Sequence, residues 1–183
     1  HVAGAERQDE VAGAHQRENV ALGVAAARAL LPMDDATVRR GVAGTRWPGR
    51  LQTVPRPGAR PLLVDGAHNP AGAAAVAAYL DEAGLAGRVD LVFGALGDKA
   101  VEGMFAPLAA RARRVVLVAP DSPRAIPADA LAARLGREDL PLGASLAAAL
   151  ALLEGAEDEA PILVAGSLVL AGEALALVAR RDA

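Results

Sequence analysis

The residues of this chain whose types could do chemistry fall in a few short stretches. Asp65 and His68 lie in P-L-L-V-D-G-A-H-N-P, residues 61–70, Lys99 closes G-A-L-G-D-K, residues 94–99, and Ser167 closes A-G-S, residues 165–167. An aspartate at the carboxyl end of a strand can accept hydrogen bonds from sugar hydroxyls, as the acidic residue of nucleotide-binding folds does. A Gly-Ser pair opening a helix offers backbone N–H groups and a hydroxyl to a carboxylate or phosphate. Lys99 would add a charge there. Of nineteen basic residues it is the only lysine, and a lysine supplies a compact point charge where arginine supplies a planar fork. Each residue also has a plain local reading. Asp65 caps an Asx-turn, His68 lies on the surface, Ser167 is a helix N-cap and Lys99 a solvated helix start.

What decides between these readings is where the elements place the residues. Leu62, Leu63 and Val64 form the apolar run of a buried parallel strand. Asn69 then suits a helix N-cap and Pro70 the first helical turn. From there the pattern predicts helix 71–83, strand 89–93, helix 101–111, strand 115–118, helix 128–135, a weak segment at 139–142, helix 146–153, strand 162–164 and helix 168–181. Residues 51–54 read as a short strand and 55–60 as a turn. Strands alternating with helices argue an α/β fold, a mostly parallel sheet with helices on both faces. All the parallel strands then end along one edge, where ligands bind. Asp65 and His68, the loop 94–99, Asp121–Arg124 and Gly166-Ser167 share that edge.

Ahead of this, residues 1–13 are polar and irregular. Val20, Val24, Ala27 and Leu31 recur at helical spacing and Pro32 ends the run. Asp34 or Asp35 caps a second short helix carrying Val38 and Val42. These two helices have no strand of their own to cover, and read as an appendage of a preceding domain. The boundary falls at residues 45 and 46.

Composition excludes several function classes. Aromatics are 2% of the chain and the net charge is −3, so little offers base stacking and no basic field attracts a phosphate backbone. No nucleic-acid partner is expected. No apolar run reaches the roughly 18 residues of a membrane helix, and no cysteine is present. The start does not resemble a signal peptide, so the expectation is a piece of a longer, cytoplasmic protein with no membrane partner. The acidic run 154–159 reads as a solvated loop. The chain has no G-x-x-x-x-G-K-[ST] phosphate cradle, no G-x-G-x-x-G turn, no metal-ligand spacing and no nucleophile beside a base. No catalytic and no metal-binding residue is therefore assigned. A binding edge without its own catalytic machinery suggests half of an active site.

Several stretches together resemble one family. A-H-Q-R-E-N-V-A-L at 14–22, W-P-G-R at 47–50, L-V-D-G-A-H-N-P at 63–70, L-V-F-G-A-L-G-D-K at 91–99, S-P-R-A at 122–125 and A-G-S-L at 165–168 are similar to folylpolyglutamate synthase, often bifunctional with dihydrofolate synthase. This is a branch of the Mur ligase superfamily, and the resemblance implies its Rossmann-like C-terminal domain. It also implies an ATP-dependent amide ligase, in which a substrate carboxylate is phosphorylated to an acyl phosphate and the amine of L-glutamate displaces phosphate. The partners implied are ATP, folate or dihydropteroate, L-glutamate and an N-terminal ATPase domain, whose last helices would be residues 1–45. That domain would hold the P-loop and the Mg²⁺ ligands.

By the same resemblance Asn19 would meet the adenine, Arg50 the ATP phosphates, and Asp65 and His68 the ribose side. Lys99 and Ser167 would hold the carboxylates of glutamate. Val169 and Leu170 stand where the family usually carries an aromatic. Two alternatives are a Mur-type peptide ligase and a non-catalytic α/β binding module.

Overall fold

The computed structural model describes residues 13–45, 47–155 and 159–180. Of the irregular start read at residues 1–13, only Gly13 lies within the described residues. The chain divides after Pro48 into two units.

The first unit carries α1 (Ala14–Leu30) and α2 (Asp35–Gly44). Leu31 is extended, as the residue before a proline must be, and this stops α1. Asp34 is the N-cap of α2, its side chain accepting the Thr37 N–H at 2.7 Å. Arg28 pairs with Asp35 and so ties the two helices together. There is little core here. No residue of α2 is buried, and Leu22 and Leu30 are 71% and 82% exposed. Exposed apolar side chains on one short unit seek cover. The 183-residue chain is expected to self-associate, and light scattering should give a mass above the 18.5 kDa monomer. A Leu22→Glu, Leu30→Glu variant should shift that mass toward the monomer, and an unchanged mass would place the contact elsewhere.

The second unit runs β1 (Gln52–Arg56), β2 (Ala59–Val64), α3 (Pro70–Glu82), β3 (Val89–Phe93), α4 (Val101–Ala109), β4 (Ala112–Val118), α5 (Ala128–Leu135), β5 (Leu142–Gly143), α6 (Leu146–Leu153), β6 (Ile162–Ala165) and α7 (Leu168–Ala179). The six strands are ordered β1-β2-β6-β3-β4-β5. Every neighbouring pair is parallel except β1 with β2. Alternate residues face opposite sides. Leu62, Val64, Val92, Val116, Val118, Ile162 and Val164 pack with α6 and α7 in one cluster. The intervening Phe93 meets Phe105 of α4 edge-on at 5.3 Å between ring centres. The α/β class with helices on both faces is what the alternating pattern predicts.

Three details differ from that pattern. Residues 55–60 are not a turn. β1 and β2 form a tight antiparallel hairpin around Pro57 and Gly58. Pro55 is tolerated within β1 because the register slips between Val54 and Arg56 on an edge strand, where no ladder N–H is needed from it. The weak segment at 139–142 yields only the two-residue β5. The acidic run is not wholly a solvated loop either, since Glu154 is partly buried and pairs with the buried Arg56 at 2.6 Å. Its residues 156–158 lie outside the described ones.

An ionic knot closes the amino-terminal edge of the sheet. Asp90, fully buried in β3, receives Arg60 from β2 and both Arg113 and Arg114 from β4. Arg113 binds in fork fashion, Nε to Oδ1 at 3.1 Å and Nη2 to Oδ2 at 3.0 Å. Arg114 does the same at 3.2 and 2.5 Å. Arg60 also donates to the Ala160 carbonyl at 2.8 Å and the Leu153 carbonyl at 3.1 Å. Burial alone would push the Asp90 carboxyl up, but hydrogen bonds from Arg114, Arg113 and Arg60 hold it well below the usual carboxylate range.

Candidate functional site

Because β6 lies between β2 and β3, the carboxyl edge of the sheet reads, in space, Asp65, then Gly166-Ser167, then Gly94–Lys99, then the loop after β4. Arg50 joins them through the chain before β1. Five of the six residues named from sequence are thus in this unit. Asn19 is not. It is an exposed residue of α1 in the first unit, with its amide 3.5 Å from Gln16 Oε1.

The D-G-A-H-N-P loop is stitched to the chain before β1. Asp65, 2% exposed, accepts the Ala67 N–H at 2.7 Å on Oδ1 and the Leu51 N–H at 2.8 Å on Oδ2. Gly66 donates its N–H to the Gly49 carbonyl at 2.7 Å. Gly49, from W-P-G-R, and the D-G-A-H-N-P loop are thereby bonded within the second unit. His68 is partly buried and its Nδ1 lies 2.9 Å from the Gly66 carbonyl oxygen. In the neutral ring that bond puts the proton on Nδ1 and leaves Nε2 as an acceptor. Asn69 caps α3 by accepting the Gly72 N–H at 2.7 Å.

Asp65 therefore has the local role its residue type allowed, and more. Replacing it by Asn would turn an amide N–H₂ toward one of two backbone donors. Asp65→Asn is expected to cost about 1.5–3 kcal/mol of stability, the worth of a hydrogen bond to a charged group. Thermal unfolding of the chain checks this, and a midpoint equal to wild type would show that the loop does not depend on the charge.

The next two loops are also joined. Leu96 and Ala125 form an isolated antiparallel bridge, with Gly97 N–H to the Arg124 carbonyl at 2.9 Å and Ile126 N–H to the Ala95 carbonyl at 3.1 Å. Lys99 follows, its N–H on the Leu96 carbonyl at 3.2 Å and its own carbonyl accepting Arg134 of α5 at 3.1 Å. Arg134 also holds Glu102 at 2.7 Å. The Lys99 ammonium is 3.3 Å from Asp98 Oδ2 and partly exposed. That hydrogen bond keeps the Asp98 carboxyl below its usual range, and Arg124 adds to the effect. Arg124 is thus a second cation at this loop. Its signal in the sequence was S-P-R-A, read there only as a word of the edge.

Ser167 is buried, 2% exposed, and its Oγ accepts the Val169 N–H at 3.1 Å as the N-cap of α7. The hydroxyl proton remains to be donated. Gly166 has φ +110°, and a Cβ there would lie 2.6 Å from the Gly94 carbonyl oxygen. Only glycine lets the β6 and β3 loops approach this closely. Among the described residues no group of three His, Asp or Glu side chains could hold a metal ion, and no helix is long and apolar enough to cross a membrane.

This fold and edge define a ligase domain of the Mur type. Residues 49–168 match the family described as Mur ligase, glutamate ligase domain, and the chain belongs to it. Several of its curated relatives are named folylpolyglutamate or dihydrofolate synthases. It is 35% identical over 118 residues to the dihydrofolate synthase/folylpolyglutamate synthase of Bacillus subtilis, covering 62% of this chain and 27% of the relative. It superposes with TM-score 0.79 and 31% identity on the Mycobacterium tuberculosis folylpolyglutamate synthase complexed with ADP and AMPPCP, covering 92% of this chain and 41% of that one. The Escherichia coli FolC in complex with DHPP and ADP gives 0.78 and 29%, covering 90% and 39%. The chain spans between about a fifth and two fifths of the length of the curated relatives it matches.

Proposed function

We propose that the protein carrying this chain is an ATP-dependent amide ligase that joins L-glutamate to a folate, with dihydropteroate as a second acceptor. The observation that supports this reading most is the bond from Gly66 of D-G-A-H-N-P to Gly49 of W-P-G-R, the two words that set the folate branch apart. In this reading Arg50 meets the ATP phosphates and His68 Nε2 accepts a ribose hydroxyl. Asp65, with its oxygens engaged by backbone, serves the ribose side by holding the loop that presents His68. Asn19 meets the adenine. Mg²⁺ and the phosphate cradle belong to an N-terminal domain, to which residues 1–45 contribute the last helices.

The reaction needs a carboxylate made electrophilic and an amine left free to attack it. ATP supplies the phosphoryl group that makes the carboxylate an acyl phosphate. The glutamate nitrogen then forms the new C–N bond as phosphate leaves, and a proton is lost from the amine. Since the amine must stay unbound, the carboxylates of glutamate are its handles. Lys99 offers a point charge and Ser167 a hydroxyl and a helix N-terminus for them.

A substrate panel tests the proposal. With the whole protein, ADP should form when L-glutamate is supplied with a reduced folate or dihydropteroate. ADP formation with a UDP-muramoyl acceptor and not with a folate would assign the chain to a peptide ligase. No ADP with either would leave a binding module.

A further inference from the structure

Leu51 is the one residue other than glycine, among those described, with a positive φ, at 45°, and it is 4% exposed. A side chain in the left-handed region is held there against a cost of order 1–3 kcal/mol, and such strain persists where surrounding contacts impose it. The contacts are three. The Leu51 N–H is drawn to Asp65 Oδ2 at 2.8 Å. On the other side of Arg50, the Gly49 N–H donates to Gln52 Oε1 at 2.9 Å while the Gly49 carbonyl accepts the Gly66 N–H at 2.7 Å. Gly49 itself has φ +69°. Arg50 is therefore the middle residue of a reversed bend whose flanks are both bonded to the D-G-A-H-N-P loop, the Gly49 flank also to its own strand.

Neither Leu51 nor Gln52 can touch a ligand through what holds them here. One is buried and the other is spent on a backbone donor. We infer that Leu51, in its left-handed conformation, and Gln52 are positioning residues that set the Arg50 guanidinium for the nucleotide phosphates. The inference rests on the proposed role of Arg50. The strain has a purpose in this arrangement: a residue of ordinary extended or helical φ at position 51 would change the course of the bend that carries Arg50. The surrounding hydrogen bonds make the unusual turn the stable one, so the backbone that carries Arg50 is set before a nucleotide arrives.

The test uses the whole protein and reads the KM for ATP and for glutamate separately. Leu51→Ile keeps the apolar volume but is β-branched, and a β-branched residue resists φ near +45°. It should raise the ATP KM about 5–150-fold, on the strain estimate above, and leave the glutamate KM within about twofold. Leu51→Met, unbranched and of similar volume, should restore the ATP KM to within about threefold of wild type. Gln52→Leu removes the acceptor for Gly49 and should raise the ATP KM about 3–10-fold, the worth of one neutral hydrogen bond. It also serves if Leu51→Ile fails to fold.

The decisive arm is the double variant. In an Arg50→Ala background, Leu51→Ile and Gln52→Leu should add less than about twofold, because residues acting through one group are not additive. Full additivity would overturn the inference, as would equal effects on ATP and glutamate KM. An Arg50→Ala variant with unchanged ATP KM would instead remove the reading of Arg50 on which the inference depends.

Discussion

Lys99→Ala is expected to raise the glutamate KM of the whole protein by about 10–150-fold, with the ATP KM moving little. The estimate is the loss of one charged hydrogen bond, about 1.5–3 kcal/mol, converted at tenfold per 1.36 kcal/mol. The backbone on both sides of Lys99 is fixed, by Leu96 and by Arg134, so truncating the side chain should leave the loop in place. Lys99 is now paired with Asp98 at 3.3 Å. A carboxylate ligand would exchange that partly exposed partner for itself, and an exposed pair of this kind is worth little to break. Lys99→Arg should recover only part of the loss, because a planar fork does not occupy the place of an ammonium. Ser167→Ala should act in the same direction but less, since the N-terminal donors of α7 stay. Steady-state kinetics with glutamate and ATP varied in turn checks this. A raised ATP KM with an unchanged glutamate KM would move Lys99 to the nucleotide side.

The second large effect is on stability. Asp90→Asn should destabilise the chain by about 3–5 kcal/mol, because it leaves three guanidinium groups around a neutral amide, one of them buried. Arg113→Met should cost far less, about 0–1 kcal/mol, since Arg113 is partly solvated and two cations remain on Asp90. The pH dependence follows from the direction of the shift. The carboxyl is held below its ordinary 3.8, so the unfolded chain takes up the proton first as pH falls. The contribution of Asp90 is whole above that ordinary value and is lost progressively below it. Denaturant unfolding from pH 7 down to about 3 should show wild type losing stability more steeply than Asp90→Asn. Equal slopes, or a variant no weaker than a surface change of about 0.5 kcal/mol, would show that the knot is not stabilising.

How much of this is legible in the sequence depends on the range of the interaction. The sheet edge is legible because strand ends are local signals, and parallel strands align them without further information. The helix caps Asn69 and Ser167 are legible for the same reason, and the cap of α2 to within one residue, Asp34 or Asp35. The role of Asp65 is only half legible. Its Asx-turn to Ala67 is two residues long, but its second oxygen is claimed by Leu51 fourteen residues earlier, across a hairpin that Pro55 disguised as a turn. The Asp90 knot is the least legible part. A faint signal existed, one aspartate inside the otherwise apolar V-D-L-V-F and a pair of arginines opening the next strand. Charges so near strand ends read as surface until the register sets Asp90 opposite Arg114. Nothing local marks Leu51, whose φ is imposed by partners and not by its own type.

In the proposed reaction the whole protein joins glutamate to a folate by activating the folate carboxylate with ATP. Labelling the two oxygens of that carboxylate with heavy oxygen and collecting the phosphate released tests it most directly. One labelled oxygen should pass to each phosphate, and the folate recovered should be longer by a glutamyl residue. Phosphate free of label, with ATP consumed all the same, would contradict it.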